Sequence, residues 1–257
     1  MLEAYKKVLV TGGLGFIGRH LTDALCELGK DVIVLDNLSK VANATLRPDT
    51  TFVDVDIRDP RQIAPVIEGV DLVFHTASNA NGTISVTRPR FDFETNVVGT
   101  FNIAEAARKA GVRRLVYLSS ASVYGRPQRF PMDEEHPRRP FVPYGASKLA
   151  GEHMAHAYHA ELALPTTSVR PFNVYGPGQV GGGAIRAFIE AALAGRLPQL
   201  VTLADLSEAL HRGRLDPDRD LEPPLHIPDS ISVLQLLDQF QRSSTHLAVV
   251  TDEYGEI

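Results

Sequence analysis

The stretch VLVTGGLGFIG (Val8–Gly18) decides how the chain begins to fold. Val8, Leu9 and Val10 form an unbroken apolar run, the signature of a strand covered on both faces. Gly12, Gly15 and Gly18 follow at a turn, and IGRHLTDALCELG (Ile17–Gly29) continues as an amphipathic helix with Gly29 in the terminating C′ role. A strand, a glycine turn and a helix start in that order keep side chains away from a spot where backbone N–H groups and a helix dipole converge. Such a spot suits the pyrophosphate of a dinucleotide. A glycine pattern alone is weak, but here the next strand, DVIVLD (Asp31–Asp36), ends on an acid. A carboxylate at Asp36 accepts hydrogen bonds from ribose hydroxyls and repels a 2′-phosphate, which favours NAD over NADP. Lys40, close by, works against that preference.

Moving outward, TFVDVD (Thr51–Asp56), DLVFHTA (Asp71–Ala77), RLVYLSS (Arg114–Ser120) and TTSVRPF (Thr166–Phe172) read as further strands. Helical patterns separate most of them, notably Thr95–Ala110 and Gly145–Leu164. Strands alternating with helices predict an α/β fold, a doubly wound parallel sheet of the Rossmann kind.

With 257 residues, 44% hydrophobic and 22% charged, the chain can bury a full core. No apolar run reaches the length of a membrane span, and the N-terminus leads straight into a strand, so a cytoplasmic protein is expected. The net charge of −5 leaves no footprint for nucleic acid. The one cysteine, Cys26, cannot form an internal disulfide and reads as a small buried hydrophobe. No metal site is expected. Asp216, Asp218 and Asp220 have the spacing of a calcium loop, but Leu221 and Ile227 occupy the places that need glycine and a bidentate glutamate. Asp133, Glu134 and Glu135 read as an exposed loop.

Chemistry enters with PYGASK (Pro143–Lys148). Tyr144 and Lys148 are four apart at a helix start and share a face. A phenol with a pKa near 10 is a poor base at neutral pH, but a neighbouring ammonium and a cationic nicotinamide would both favour the phenolate. Ser120, at the end of a parallel strand, faces the crevice where such sheets bind ligands and can donate a hydrogen bond to the reacting oxygen.

With these in hand, residues 6–195 resemble the NAD-dependent nucleotide-sugar epimerase/dehydratase family, the extended short-chain dehydrogenases/reductases. The matching motifs, in order, are TGGLGFIG, LDNLS, DVDIRD, VFHTAS, NVVGT, SSASVYG, PYGASK and RPFNVYGPG. The resemblance implies a cofactor set of Gly12, Gly15, Phe16, Ile17, Gly18, Asp36, Asn37, Asp56, Ile57, Thr76, Ala77, Ser78, Asn96, Ser119, Tyr144, Lys148 and Phe172. Within it, Asp56 and Ile57 would flank the adenine, Asn96 would hold the active-site geometry, and Phe172 would lie by the nicotinamide. Asn173 would meet the substrate's diphosphate. It also implies a nucleotide-sugar substrate and a homodimer. Dehydratases of this family carry an acid–base pair just after the strand-end serine; Ala121 and Ser122 stand there, so epimerisation at sugar carbon four is the expected reaction. Tyr144, Lys148 and Ser120 are its expected catalytic residues.

Composition changes near residue 200. From Leu200 onward 11 acidic residues face four arginines and no lysine, whereas the remainder carries +2. The tail, with VTLADL (Val201–Leu206) and PPLHIPDSISVLQLLDQFQRSSTHLAVVTDEYGEI (Pro223–Ile257), resembles parts of the paired CBS modules of CorC-like proteins. That implies two domains, 1–198 and 199–257, with a partial CBS-like tail and an adenine nucleotide as its ligand. Thr202 and Asp205 match the positions that touch the nucleotide, although a strand-end threonine and a helix-capping aspartate are the plainer reading. The chain is then expected to be cut within both domains, with sugar turnover impaired. The alternative is a regulatory protein that binds NAD or adenine nucleotide without catalysis.

Overall fold

The computed structural model describes residues 2–40, 47–129, 132–179, 225–228 and 248–251. The chain divides into two compact units, Met1–Gly178 and Gln179–Ile257.

The first unit is built on six strands: β1 (Lys7–Thr11), β2 (Asp31–Asp36), β3 (Thr50–Asp54), β4 (Leu72–His75), β5 (Arg114–Leu118) and β6 (Thr166–Val169). Their order is β3-β2-β1-β4-β5-β6, and every neighbouring pair is parallel. The helices are α1 (Phe16–Glu27), α2 (Pro60–Ile67), α3 (Gly82–Thr87), α4 (Pro89–Phe93), α5 (Gly99–Lys109) and α6 (Pro143–Glu161), with a π-helical turn, Glu94–Val98, joining α4 to α5. The expected Rossmann architecture is the one observed.

The register explains the unbroken apolar runs. Leu9 lies beside Ile33 and Val73, and Val73 beside Leu115, a row that packs with Ile63, Ile103 and Ala107. Their neighbours Val8, Val10, Val32, Val34 and Leu72 point to the other face and pack with Leu25 of α1. The central strands β1, β2 and β4 therefore bury both faces, while the edge strands β3 and β6 stay partly exposed, and a fully buried Val, Leu or Ile contributes roughly 1.5–3 kcal/mol.

Local signals end the helices where expected. Gly29, at φ +67°, donates to Cys26 O while Lys30 N donates to Leu25 O, a Schellman closure of α1. At the start of α2, Asp59 accepts from Arg61 N, and Pro60 occupies a position that needs no donor.

The chain runs from β1 outward to β3 and then crosses back to β4. The crevice between the carboxyl ends of β1 and β4, over Thr11 and His75, is the topological switch point at which open parallel sheets bind ligands.

In the second unit β7 (Leu225–Pro228) pairs in parallel with β8 (Ala248–Thr251), both within the stretch Pro223–Ile257. The rest of the stretches that resemble CBS modules, with Asp216, Asp218, Asp220, Thr202 and Asp205, lies outside the described residues.

Candidate active site

A cradle forms first, from backbone. Gly12 adopts φ +66°, and a Cβ there would stand 2.7 Å from the backbone of Ala77. A Cβ on Gly18 would collide with Gly12 O, so this glycine lets α1 press onto the turn. Gly15 precedes α1 and no side chain caps the helix, so the first N–H groups, those of Phe16 and Ile17, are free to face an anion. At the end of β2, Asp36 accepts from Leu14 N (3.2 Å) and Leu38 N (3.0 Å), tying the turn to the neighbouring strand. Asp36 as a whole is only 9% exposed, at the rim of the cradle. A dinucleotide fits these features: side-chain-free glycines, unpaired helix N–H groups and an acid one strand away.

The flanking residues are braced. Asn37 donates to Asp56, which also takes a bidentate fork from Arg58 at 2.9 and 2.6 Å. Chiefly through that guanidinium, and through the Arg58 N–H and the Asn37 amide, the Asp56 carboxyl is held at about 2. Ile57 turns its side chain into the core, 5% exposed, so it can offer the crevice only backbone. Thr76 donates to Thr11 O (2.6 Å), and Ala77 N to Thr11 Oγ1 (3.2 Å), which seats the loop Thr76–Ser78 against the cradle. Lys40 donates to Ser78 O at 3.3 Å and spans the same crevice.

The second half of the site gathers at the carboxyl end of β5. Ser120 begins a short 3-10 turn, Ala121–Val123, and accepts from Ser122 N (3.1 Å). Its hydroxyl also acts on the Tyr144 phenol, favouring release of the proton. Tyr144 sits in the first turn of α6, and Lys148 one turn later is 2% exposed, its ammonium 4.7 Å from the centre of the Tyr117 ring. Burial pulls Lys148 down to about 7, against the opposing pull of Asp92 and Glu152. Burial, helped by Asp92, pushes the Tyr144 phenol above its ordinary value; the Ser120 hydroxyl opposes this but does not win. The chain's own groups therefore do not deliver the depressed phenol expected from sequence. Ser119 differs from its neighbour: its hydroxyl is committed to Glu152 at 2.5 Å, away from Tyr144.

Several contributors escaped the sequence reading. Glu152 takes a bidentate fork from Arg170 (2.8 and 2.8 Å), and Arg170 also donates to the Tyr124 hydroxyl (2.9 Å). Tyr124 in turn stacks on Phe172, ring centres 6.3 Å apart. The spacing of Glu152, four beyond Lys148 on the same helix, was the available clue. Beneath the crevice His75 is fully buried, with Nε2 3.0 Å from Thr100 Oγ1 and Nδ1 2.7 Å from Thr11 Oγ1. Thr100 spends its proton on Asn96 O, so His75 must donate from Nε2 and accept at Nδ1. Burial holds it neutral, at about 3. Asn96 is 1% exposed and wholly engaged by neighbouring groups. Phe172 is 55% exposed, and Asn173 beyond it is exposed as well. An open cleft of about 740 Å³ lies next to Tyr124 and Phe172, walled by Met132–Arg138 and Ser168–Arg170.

Among the described residues no group of three or more His, Cys, Asp or Glu could hold a metal ion, and no helix is long and apolar enough to cross a membrane.

The sequence model of the NAD dependent epimerase/dehydratase family matches residues 8–234, continuing past the compositional change near residue 200. A UDP-glucose 4-epimerase of Mycolicibacterium smegmatis is 40% identical over 204 residues, 76% of this chain and 65% of that protein. Among solved structures, the UDP-glucose 4-epimerase of Thermus thermophilus in complex with NAD superposes with a TM-score of 0.69 at 35% identity, covering 82% of this chain and 75% of that one. The Thermotoga maritima UDP-glucose 4-epimerase with UDP-glucose gives 0.72 at 33% identity, covering 79% and 71%. The chain spans just under two thirds of the length of the curated relatives it matches.

Proposed function

The chain belongs to the NAD dependent epimerase/dehydratase family, and from that premise we propose that it is a nucleotide-sugar epimerase of the UDP-hexose 4-epimerase type with NAD as its cofactor. The observation that carries this reading is the convergence of Ser120, Tyr144 and buried Lys148 beside a glycine cradle bordered by Asp36.

Each group has a part. Gly12, Gly15 and Gly18, with the N–H groups of Phe16 and Ile17, hold the pyrophosphate, and Asp36 and Asn37 meet the adenosine ribose. Asp56 and the Ile57 backbone border the adenine, and the backbone of Thr76–Ser78 follows the cofactor into the crevice. Phe172 covers the nicotinamide face and Asn173 meets the substrate's diphosphate. Tyr144, as phenolate, takes the proton from the hydroxyl at sugar carbon four. Ser120 donates a hydrogen bond to the same oxygen, and the Lys148 ammonium stabilises the phenolate. NAD, when bound, would supply the hydride acceptor, and its positive nicotinamide would add to the Lys148 ammonium in favouring the Tyr144 phenolate. Asn96 fixes the turn behind these groups. Ser119 acts from outside the crevice by holding Glu152.

The test is direct. The purified chain should retain NAD, show nicotinamide reduction on addition of UDP-glucose or UDP-galactose, and interconvert the two. A chain that retains NAD but never reduces it in the presence of either sugar nucleotide overturns the proposal.

The same reading carries with it a cytoplasmic location, where NAD and nucleotide sugars are available. It also includes a homodimer, supported by Phe93 (55% exposed) and Phe101 (43%) on the helical stretch that runs from α4 into α5. Light scattering that finds a monomer at all working concentrations removes the dimer. For the tail, the proposal is a partial CBS-like domain, 199–257, that takes an adenine nucleotide. The parallel pairing of Leu225–Pro228 with Ala248–Thr251 is what a strand–helix–strand motif of that kind requires. A regulatory protein without catalysis is the competing function, and AMP or ATP binding that disappears on replacing Asp205 would favour it.

A further inference from the structure

Asp92 on α4 is 1% exposed, and among the described residues it enters no ion pair. A buried carboxylate without a paired cation is costly unless several donors reach it. Two do. Its Oδ1 accepts from Asn79 Nδ2 (2.7 Å) and from Asn96 Nδ2 (3.1 Å). The same Asn96 amide reaches Ser147 Oγ (3.0 Å). Ser147 passes its own proton to Tyr144 O at 2.9 Å. A chain of hydrogen bonds thus runs from a buried charge on α4 to the carbonyl of Tyr144, in the turn of α6 that also leads to Lys148. Asn96 is pinned from its other sides too: its Oδ1 accepts from Asn79 N (2.7 Å), and its carbonyl takes the Thr100 proton of the His75 relay.

We infer that Asp92 is a positioning residue for the proposed reaction: through Asn96 and Ser147 it fixes the first turn of α6, and its charge sets the field in which Tyr144 and Lys148 stand. The inference rests on the epimerase reading for its meaning but not for its test.

The groups facing the pair are few. Lys148 sees Asp92 from α4, Glu152 from its own helix, neutral His75 from β4 and the Tyr117 ring from β5. Tyr144 sees Ser120 and Asp92, and lies near enough to Tyr117 to be felt there. Asp92 favours the protonated form of both Tyr144 and Lys148. Removing its charge while keeping an acceptor in place should therefore make both groups release their protons at lower pH. A residue that merely packs would move neither.

The experiment compares the chain with Asp92→Asn and with Ser147→Ala. Phenolate absorbance is titrated in the NAD-saturated protein, with the matching Tyr144→Phe variant subtracted so that only Tyr144 is read. No sugar is needed, so the result stands even if the chain turns over no UDP-hexose. Asp92→Asn should bind NAD and titrate Tyr144 at lower pH than the unaltered chain. Any turnover profile should move toward acid as a whole. Ser147→Ala, which cuts the chain but leaves the charge, should keep the titration and lose about 10²-fold in turnover through misplacement of the first turn. An unchanged Tyr144 titration in Asp92→Asn overturns the inference. If Asp92→Asn does not fold, Asp92→Ser, which also removes the charge, is read by the same phenolate titration, and an unchanged Tyr144 there overturns the inference.

Discussion

The cradle and the catalytic edge lie side by side at the carboxyl end of one sheet, yet they are made of different material. Around Gly12, Gly15 and Gly18 the working groups are backbone N–H donors, and the sequence's contribution is to leave side chains out. Around Ser120, Tyr144 and Lys148 the working groups are side chains, and the buried groups that support them are held by residues distant in the chain, Asn96 by Asn79 and Ser147, and Glu152 by Ser119 and Arg170. The cradle should therefore govern what binds, and the edge should govern what reacts and a large share of stability. Replacements can break that division or sharpen it.

The largest effect is expected at the edge. Arg170→Leu leaves Glu152, 5% exposed, with Ser119 and with Arg138 at 4.0 Å as the nearest remaining cation. Stability should fall by about 3–5 kcal/mol, the usual cost of stripping one partner from a buried pair. Denaturant unfolding measures this. Replacing Glu152 as well, by an apolar residue, should restore part of the loss, because the stranded charge is then gone.

Tyr144→Phe comes next. It removes the proposed base at the edge and touches nothing in the cradle, so turnover should fall by about 10²-fold or more while NAD stays bound. Steady-state assay together with cofactor content gives both readings. A variant that loses NAD and turnover together would dissolve the distinction between the two regions.

Beneath both regions, His75 gives a pH signature. Buried and neutral, it titrates at about 3 against 6.5 for the free group, so the unfolded chain binds a proton in that interval that the folded chain refuses. Its contribution is fully present above pH 6.5 and is lost as pH falls toward 3, with a slope of about 1.4 kcal/mol per unit. Unfolding free energies of His75→Gln should lack that part of the slope. Equal slopes in the two proteins would mean that His75 is protonated within the fold.

The smallest effect belongs to the cradle. With Asp36 at its rim, NAD should bind at least about tenfold tighter than NADP, or about 1.4 kcal/mol. Calorimetry showing equal affinities would mean that Lys40 offsets the carboxylate.

This division also sorts what could be read in advance. The strand VLVTG, the glycine turn, Gly29 at the end of α1 and the alternation that gives a parallel sheet are local signals, and each is where the sequence put it to within a residue or two. Ser120, Tyr144 and Lys148 could be singled out as candidates, because residue type and helical spacing already limit their chemistry. Ser119 and Ser120 show the limit. Two serines stand side by side at a strand end, and alternation sends the hydroxyl of one to Glu152 and that of the other to Ser122 N in the turn facing α6. Motif resemblance assigns Ser119 to the cofactor, and nothing local to it points to Glu152.

By itself the sequence determined the fold class and the family, because those rest on periodicity, glycine placement and short motifs that act within a few residues. Only the tertiary structure decided what surrounds the motifs. Asp92 sits within an ordinary PRFDF, Asn79 in a loop, His75 in an apolar strand, and Arg170 just after β6, and none announces a partner. Folding brings Asn79 to Asp92, Asn96 to Ser147 and Arg170 to Glu152. Burial then makes each contact matter, because a charge or amide removed from water must find its partner within the protein.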